Sequence, residues 1–522
     1  MDEVGVLRLK EAAEFVRVSE KTLREMAKAG RIPCQRVGRE WRFLTKALES
    51  WLTGERPARE DSGQVAELRG QLYLPISDLN IKPSRAGFSD TAFTKNREEP
   101  VHSWIPWIAG FSASFVAEIL EREMEKSKML RVLDPFAGVG TTLVEGFKRN
   151  CDVFGFEINP YAALACQVKL DAFYYDPDTI RSAARRLQSF LRENLQNAAN
   201  KPRSEPPFGF RSRDPFFSPK VEPQVLYVKD FIREEKKEWL QRVLRIALGA
   251  VIVSVSNYTY EPSLGRRTAV GKDPIIDADL SAILYDKLFK MARDIEILQA
   301  GRVSSERQPL AHVFNESYLT SAAVRLGPSS MDILITSPPY LNNYHYVRNT
   351  RPQLFWLDFT REASELRDLE TSSFGKFWQT VRSEPEVPLI FKDSEIEKKL
   401  EELRSLRTEN GPNGGPGWTN YAATYFNDCK RFCEVTANVM KPGGLVVVVI
   451  GNNILQGVEF KTDEIFAGLA ERVGFVVEGL HVVRKRRTGS SIINSSVRIG
   501  QVTKRTDLYE KAVELRLKRS PF

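Results

Sequence analysis

An α/β fold, an open sheet of parallel strands with helices between them, is what the sequence predicts, and three stretches predict it. Met331-Asp332-Ile333-Leu334-Ile335 is a short apolar run, largely branched, and soon followed by Pro338 and Pro339, which cannot continue a sheet ladder; it reads as a buried parallel strand. Leu130-Arg131-Val132-Leu133-Asp134 reads as a second strand, running into the glycine turn Gly138-Val139-Gly140 and a helix that begins near Thr141. Val153-Phe154-Gly155-Phe156 reads as a third, followed at once by Glu157-Ile158-Asn159-Pro160. Ligands bind open α/β sheets at the carboxyl ends of the strands, so the residues just after these three runs are the candidates for a site.

At 522 residues the chain is long enough for two to four domains, and 42% hydrophobic with 28% charged residues is an ordinary globular composition. A net charge of +8 and a pI of 9.0 favour a polyanionic partner without establishing one. The apolar runs Ile246 to Val255 and Leu445 to Ile450 fall far short of the roughly 20 residues of a membrane helix, so no membrane span is expected. Met1-Asp2-Glu3-Val4 lacks the basic start and apolar stretch of a signal peptide, and five scattered cysteines fit a reducing compartment; a cytoplasmic, nucleoid-associated protein is the expectation. Cys429 and Cys433 share a helix face with no histidine near them, which points to core packing and to no metal site.

Residues 1–52 read as a small helical unit. Leu9 to Val16 is an amphipathic helix, Val18-Ser19 a turn with Ser19 as N-cap, and Glu20 to Ala29 a second helix stopped by Gly30. Ile32 to Phe43 reads as a hairpin turning at Gly38-Arg39, before a last helix capped by Thr45. The Lys-Glu-Ala-Ala helix, the turn from Val18 to Leu23, Gly30-Arg31-Ile32-Pro33 and Val37-Gly38-Arg39-Glu40-Trp41-Arg42-Phe43 resemble the excisionase/MerR-like winged helix-turn-helix family. The resemblance implies that the second helix enters a DNA major groove, with Ser19, Lys21, Thr22, Arg24 and Lys28 facing DNA and Arg36, Arg39 and Arg42 on the wing. A helix-turn-helix used only for protein contacts is the competing reading. Pro33-Cys34-Gln35 spells the nucleophile motif of cytosine C5 methyltransferases, but its place in the wing makes it a coincidence. Residues 53–72, with several breakers and few large apolar side chains, read as a linker.

Asp134 ends its strand, Gly138 and Gly140 let a ligand approach the backbone, and the helix beginning at Thr141 offers free N–H groups. Glu157, at the end of the next strand, is placed to accept both ribose hydroxyls of a nucleoside cofactor. Asp134-Pro135-Phe136-Ala137-Gly138-Val139-Gly140-Thr141-Thr142, Glu157-Ile158-Asn159-Pro160 and Ser337-Pro338-Pro339-Tyr340 together resemble the DNA amino-methyltransferases, which methylate cytosine N4 or adenine N6 with S-adenosylmethionine. The resemblance runs from about residue 73 to the C-terminus. It implies a Rossmann-like class I methyltransferase sheet with a largely helical insert, beside the small winged helix-turn-helix domain. It divides the chain into a cofactor half, 73–171, an insert, 172–310, and a catalytic half, 311–522. It gives Phe136, Gly138 and Gly140, with Asp134 and Thr141 around them, the methionine part of S-adenosylmethionine, and Glu157, with Ile158, the ribose. His102-Ser103-Trp104 with Gly110-Phe111-Ser112 is similar to the motif that closes the methionine side, through Phe111 and Ser112. Lys441-Pro442-Gly443-Gly444 and the run to Asn453 are similar to the turn and strand after the catalytic motif. The family's third-strand Asp, which holds adenine, is replaced by Asn315 or Glu316.

The insert is too long for a plain α/β connection and should hold a subdomain. Its Tyr258, Tyr260, Arg266, Arg267 and Lys272 suit contact with a nucleic acid, although helices that simply cover the sheet would serve equally. Arg382 to Trp418 reads as irregular, and Arg484-Lys485-Arg486-Arg487 as a phosphate-contacting edge or an ordinary solvated charge run.

The lone pair of an exocyclic amino nitrogen is delocalised into the ring, so a site that methylates it must localise the pair. Ser337 Oγ and the Pro338 carbonyl, accepting hydrogen bonds from the amino group, would do that, with Pro339 stiffening the turn and Tyr340 stacking on a flipped-out base. Ser in the first position resembles the cytosine-N4 enzymes, Asp or Asn usually the adenine-N6 ones. Double-stranded DNA is the expected partner, and a cognate restriction or defence-system nuclease stays open. An adenine-N6 enzyme, an RNA methyltransferase and a DNA-binding regulator whose methyltransferase fold no longer catalyses are the alternatives; no oligomeric state is read.

Overall fold

Two units make up the chain, Met1–Asp78 and Leu79–Phe522. The computed structural model describes residues 6–16, 18–28, 32, 34–37, 40–45, 48, 96–107, 110–127, 129–260, 264–301, 307–341, 346–405, 417–484 and 508–518. The expected linker 53–72, Arg39 and the basic residues Lys485, Arg486 and Arg487 lie outside them.

In the first unit the helices Leu9–Phe15 and Glu20–Lys28 are joined by the turn that Ser19 anchors: its Oγ accepts the Thr22 N–H at 3.1 Å. Strand β1 (Val6–Arg8) has no counterpart in the sequence reading. It pairs antiparallel with β3 (Glu40–Leu44), which in turn pairs with β2 (Gln35–Val37), the expected hairpin. Ala12, Ala13, Leu23, Ala27, Ile32, Phe43 and Leu48 form the unit's core. Thr22 and Arg24 are exposed, Arg42 is half-buried, and Lys21 and Lys28 lie on the second helix.

The second unit is organised by a seven-stranded sheet. Its strands are β4 (Arg131–Asp134), β5 (Asp152–Phe156), β8 (Ala311–Phe314), β9 (Met331–Thr336), β10 (Met440–Gly451), β13 (Phe475–Arg484) and β14 (Glu510–Leu517); two short hairpins, β6 (Tyr258–Tyr260) with β7 (Leu264–Arg266) and β11 (Asn453–Leu455) with β12 (Val458–Phe460), lie outside it. The spatial order is β13-β14-β10-β9-β4-β5-β8, parallel from β10 to β8, with β14 antiparallel to both its neighbours. This is the Rossmann-like, mostly parallel arrangement the sequence predicts. From β4 the chain builds outward to β5 and β8, then returns to the other side of β4 for β9 and β10. The order therefore reverses between β4 and β9, and a crevice opens above their carboxyl ends.

Alternation along the strands divides two apolar layers. Val132, Ile333, Ile335, Val447 and Val449 face one layer, and Leu133, Leu334, Val446, Val448 and Ile450 the other. The second layer is covered by the helices Tyr318–Leu326, Gly417–Val439 and Thr462–Glu471. Cys429 and Cys433 are buried in it, as packing residues. The first is covered by Ala113–Met124, Thr141–Lys148 and Pro160–Asp171, and by the insert.

The insert is helical, as expected, with helices Pro177–Gln196, Glu222–Glu234, Glu238–Val251 and Leu280–Ala300. It does not form a subdomain with its own core. Ala183, Leu187, Leu244, Leu284 and Ile295 belong to the same apolar layer as Ile333 and Ile335, because the helices' apolar stripes are satisfied by the sheet. The residues singled out for nucleic-acid contact are partly engaged within the unit: the Tyr260 hydroxyl donates to Asn349 O at 3.0 Å, Arg266 pairs with Asp214 at 3.2 Å and Arg267 Nε donates to Asp273 O at 2.7 Å. The stretch read as irregular after Arg382 contains the helix Ser394–Ser405, whose buried Ile396, Leu400 and Leu403 follow the i, i+4, i+7 spacing of a helix face. Residues 406–416 lie outside the described residues. Among the described residues no helix is long and apolar enough to cross a membrane.

Gly155 shows how tightly helix and strand meet beneath the crevice. A Cβ there would lie 2.5 Å from Leu143 Cδ1 and 3.2 Å from Ala137 Cβ. Gly155→Ala should therefore destabilise the protein by about 1–3 kcal/mol through overpacking, read as a lower urea midpoint at unchanged slope; an unchanged midpoint would mean that the helix shifts freely.

Candidate functional site

Three strand ends converge on one cavity. Asp134 to Val139 after β4, Glu157 to Asn159 after β5, and Ser337, Pro339 and Tyr340 after β9 all line it, as do Phe111, Thr141 and Glu316. The sequence motifs, separated by up to about 200 residues, are thus brought together at the point where the strand order reverses.

The glycine turn is held by its own backbone and by two carboxylates. Asp134 Oδ1 accepts the Phe136 N–H at 3.1 Å and the Thr336 hydroxyl at 2.6 Å, which fastens the end of β4 to the end of β9. Glu157 Oε2 accepts the Gly138 N–H at 2.9 Å, and its Oε1 accepts the Asn159 N–H at 2.8 Å. Burial pushes Asp134 up to about 6 against the hydrogen bonds of Thr336, Thr142 and Phe136. Burial pushes Glu157 up to about 7, against the N–H groups of Asn159 and Gly138 and with Asp134 adding to the rise. The φ of Gly138 is +52°, and a Cβ there would sit 3.1 Å from Trp107 Nε1; the φ of Gly140 is +85°. Gly138 thus forms the cavity wall. Gly140 stands behind it as the N-cap of the helix Thr141–Lys148.

At the end of β9, Ser337 Oγ donates to Val449 O, 3.1 Å away on the neighbouring strand. A hydroxyl has one proton and two lone pairs, so with its proton on Val449 O, the shorter of its two contacts beside the Tyr340 hydroxyl at 3.5 Å, it meets the cavity as an acceptor. Pro338 is buried and Pro339 lines the wall with Tyr340. Phe136 also lines the cavity, its ring held edge-on to Phe374 (5.1 Å, 73°) and stacked on Phe432 (5.8 Å, 18°).

Other expected residues take supporting places. Ser112 Oγ caps the helix Ala113–Met124 by accepting the Phe115 N–H at 3.3 Å, and the residue is not part of the wall; its neighbour Phe111 is. His102 pairs with Glu145 at 2.9 Å and Trp104 Nε1 donates to Asp294 at 2.9 Å, so both anchor the segment that carries Phe111. Of the two substitutes for the third-strand acid, Asn315 ties down the carbonyls of Glu157 and Ile158 at 2.8 and 3.0 Å. Glu316 stands at the cavity, ion-paired with Arg325.

Trp107, Tyr346, Phe374, Tyr421 and Tyr425 line the cavity without having been singled out in the sequence. Trp107 lies three residues past Trp104, inside a stretch already marked, and its ring stacks on Tyr346 at 6.5 Å and 22°. The turn at Phe374-Gly375 had a signal too, a glycine directly after an aromatic. The φ of Gly375 is +70°, a Cβ would meet Tyr425 Cδ2 at 2.6 Å, and its N–H is held by buried Asp428 at 2.9 Å. Among the described residues no group of three or more His, Cys, Asp or Glu side chains could hold a metal ion.

Fold and cavity define a class: an α/β protein with an aromatic-walled crevice at the switch point of a Rossmann-like sheet. Residues 6–56 match the family model described as a helix-turn-helix domain. The chain is 21% identical over 436 residues to the Type II methyltransferase M.BsoBI of Geobacillus stearothermophilus, covering 77% of this chain and 83% of that protein. It is 24% identical over 425 residues to the Type II methyltransferase M.AvaI of Nostoc sp. (77% and 84%), and 22% over 409 residues to M.MvaI of Kocuria varians (76% and 85%). Among solved structures, an rRNA methyltransferase of Streptomyces viridochromogenes aligns at a TM-score of 0.27 and 9% identity, over 78% of this chain and 87% of that one, a likeness too slight to carry an argument.

The raised Glu157 makes stability depend on pH. Its folded value, about 7, lies above the ordinary 4.5, so the fold favours the protonated form; the benefit is complete below about 4.5 and is lost as pH rises through about 7. Unfolding measured across this window should show wild-type stability falling by a few kcal/mol relative to Glu157→Gln. Parallel curves for the two proteins would contradict the assignment.

Proposed function

We propose that this protein is an S-adenosylmethionine-dependent DNA amino-methyltransferase acting on N4 of a flipped-out cytosine. The observation that carries the reading is the sharing of one cavity by the glycine turn, Glu157 and the acceptor-oriented Ser337. The cofactor fits the residues present: the missing Cβ at Gly138 leaves room against Trp107, and Glu157 offers the ribose a carboxylate. Asp134, Phe136, Gly138, Thr141 and Phe111 shape its methionine end, with Gly140 and Ser112 capping the helices behind them, while Ile158 and Glu316 border its nucleoside end. When bound, S-adenosylmethionine supplies a methyl group already activated on a sulfonium, so the protein's task is to position.

Ser337 Oγ and the Pro338 carbonyl accept the two amino hydrogens and draw nitrogen toward a pyramidal geometry, localising its lone pair in the direction of the methyl group. Pro338 and Pro339 keep those acceptors from drifting. Tyr340 stacks on the base once it has left the helix, replacing part of the stacking it lost. Nitrogen gains a methyl group and gives up one proton to solvent. Ser337 favours cytosine over adenine, as the resemblance to the cytosine-N4 enzymes implies.

The names of the relatives, Type II methyltransferases, support methyl transfer and a restriction-modification setting with a cognate nuclease as partner. The helix-turn-helix match supports DNA as the substrate, through Thr22, Arg24 and Arg42 with Lys21, Lys28 and Arg39.

Ser337→Ala and Tyr340→Ala should lower tritiated methyl transfer to DNA by about a hundredfold or more while calorimetric affinity for the cofactor stays near wild type; wild-type transfer rates in both would remove these residues from the site. Mass spectrometry of digested product should find N4-methylcytosine, and N6-methyladenine alone would refute the base while keeping the reaction.

Deleting residues 1–60 should weaken DNA binding and flatten its salt dependence, because phosphate contacts and local concentration are lost, with the methylated sequence unchanged. A changed or relaxed sequence would mean that this unit reads part of the target.

A further inference from the structure

The glycine turn is gripped from behind by two side chains that the proposed chemistry does not use. On the helix Pro160–Asp171, Cys166 Sγ donates to Gly138 O at 3.1 Å and Lys169 Nζ donates to Val139 O at 2.9 Å. Both residues are fully buried. Burying a lysine is costly, so a place for one beside a backbone carbonyl calls for a reason beyond packing. Burial, with the neighbouring Lys287 adding and Cys166 opposing, brings Lys169 down to about 7; charged or neutral, its nitrogen still has protons to donate.

The peptide groups of the turn are planar and trans, so each N–H points opposite to the C=O of its own peptide unit. Cys166 holds the Gly138 carbonyl toward the helix. The N–H of the same unit belongs to Val139 and is thereby aimed away from the helix, to the side of the cavity that Val139 lines. The unit before it is committed, since the Gly138 N–H donates to Glu157 Oε2 at 2.9 Å, and so is the unit after it, since Lys169 takes the carbonyl and the Gly140 N–H donates to Ala137 O at 2.7 Å. Among the described residues nothing accepts a hydrogen bond from the Val139 N–H. Of three successive donors, one is taken by Glu157, one by the turn's own Ala137 carbonyl, and the Val139 N–H is presented.

We infer that Cys166 and Lys169 are positioning residues which, by holding the Gly138 and Val139 carbonyls, present the Val139 N–H to the carboxylate of the cofactor's amino-acid tail. The inference rests on the cavity being an S-adenosylmethionine site. It goes further in assigning one backbone donor, and the two side chains that aim it, to one end of that ligand.

The test separates the two ends of the cofactor. S-adenosylhomocysteine carries the amino-acid tail; 5′-methylthioadenosine has the same adenosine and thioether without it. Both are titrated calorimetrically into the full chain as wild type, Lys169→Met, Cys166→Ala and Cys166→Ser. Lys169→Met and Cys166→Ala should weaken S-adenosylhomocysteine about tenfold or more while leaving 5′-methylthioadenosine within about twofold, as expected for a lost hydrogen bond to a charged group. Cys166→Ser, which restores an O–H donor, should return the wild-type ratio of the two affinities. Equal losses for both ligands would mean that the side chains only hold the turn together, and no loss for either would mean that the Val139 N–H is not the contact; either result overturns the proposal. If Lys169→Met fails to fold, the Ala and Ser variants at Cys166 give the same comparison. A wild-type protein that binds neither ligand would overturn the cofactor reading itself, an outcome distinct from the others.

Discussion

The reversal of strand order between β4 and β9 is the constraint on which the rest of the site depends. Two adjacent parallel strands whose connections leave in opposite directions cannot both have their carboxyl ends covered by the same helix, so a crevice is left between them. The Thr336 hydroxyl on Asp134 Oδ1 closes that seam at 2.6 Å. With the seam fixed, the glycine turn and the Ser-Pro-Pro-Tyr turn face one another. Glu157 then fastens the third strand end to the same turn through the Gly138 N–H. One ladder and two carboxylates thus set the relative positions of groups that lie far apart in sequence.

A second layer of control is aromatic. Phe136 and Phe374, backed by buried Phe432, make one wall of the cavity, and Trp107 with Tyr346 makes another. Flat rings surround a planar ligand at small conformational cost, because each has only two rotatable side-chain torsions to order. The wall near Phe374 is itself tied to the long helix Gly417–Val439 by the Gly375 N–H on Asp428, so the turn is held by the core of the second apolar layer.

Much of this was legible in the sequence, and the reasons are local. β4, β5 and β9 are short branched or aromatic runs, each ended by residues with a conformational job: a glycine turn, an acid before Asn-Pro, a pair of prolines. The helix-turn-helix was marked by Ser19 and its cap. What stayed hidden depends on distant pairing. Nothing local distinguishes Trp107 from any other tryptophan until Gly138 removes the side chain that would fill its place. The union of the insert with the sheet's apolar layer is likewise invisible, since an amphipathic stripe does not say what will cover it. The helix Ser394–Ser405 did carry its period, but the surrounding charge and breakers obscured it.

In the proposed reaction one cavity receives both the cofactor and the amino group to be methylated. A crystal structure of the protein grown with S-adenosylhomocysteine tests it most directly. Density is expected with the ribose hydroxyls on Glu157 and the sulfur between the glycine turn and Ser337 Oγ, leaving the Tyr340 side open for a base. Ligand bound elsewhere, with Glu157 still holding only Gly138 and Asn159, would contradict it.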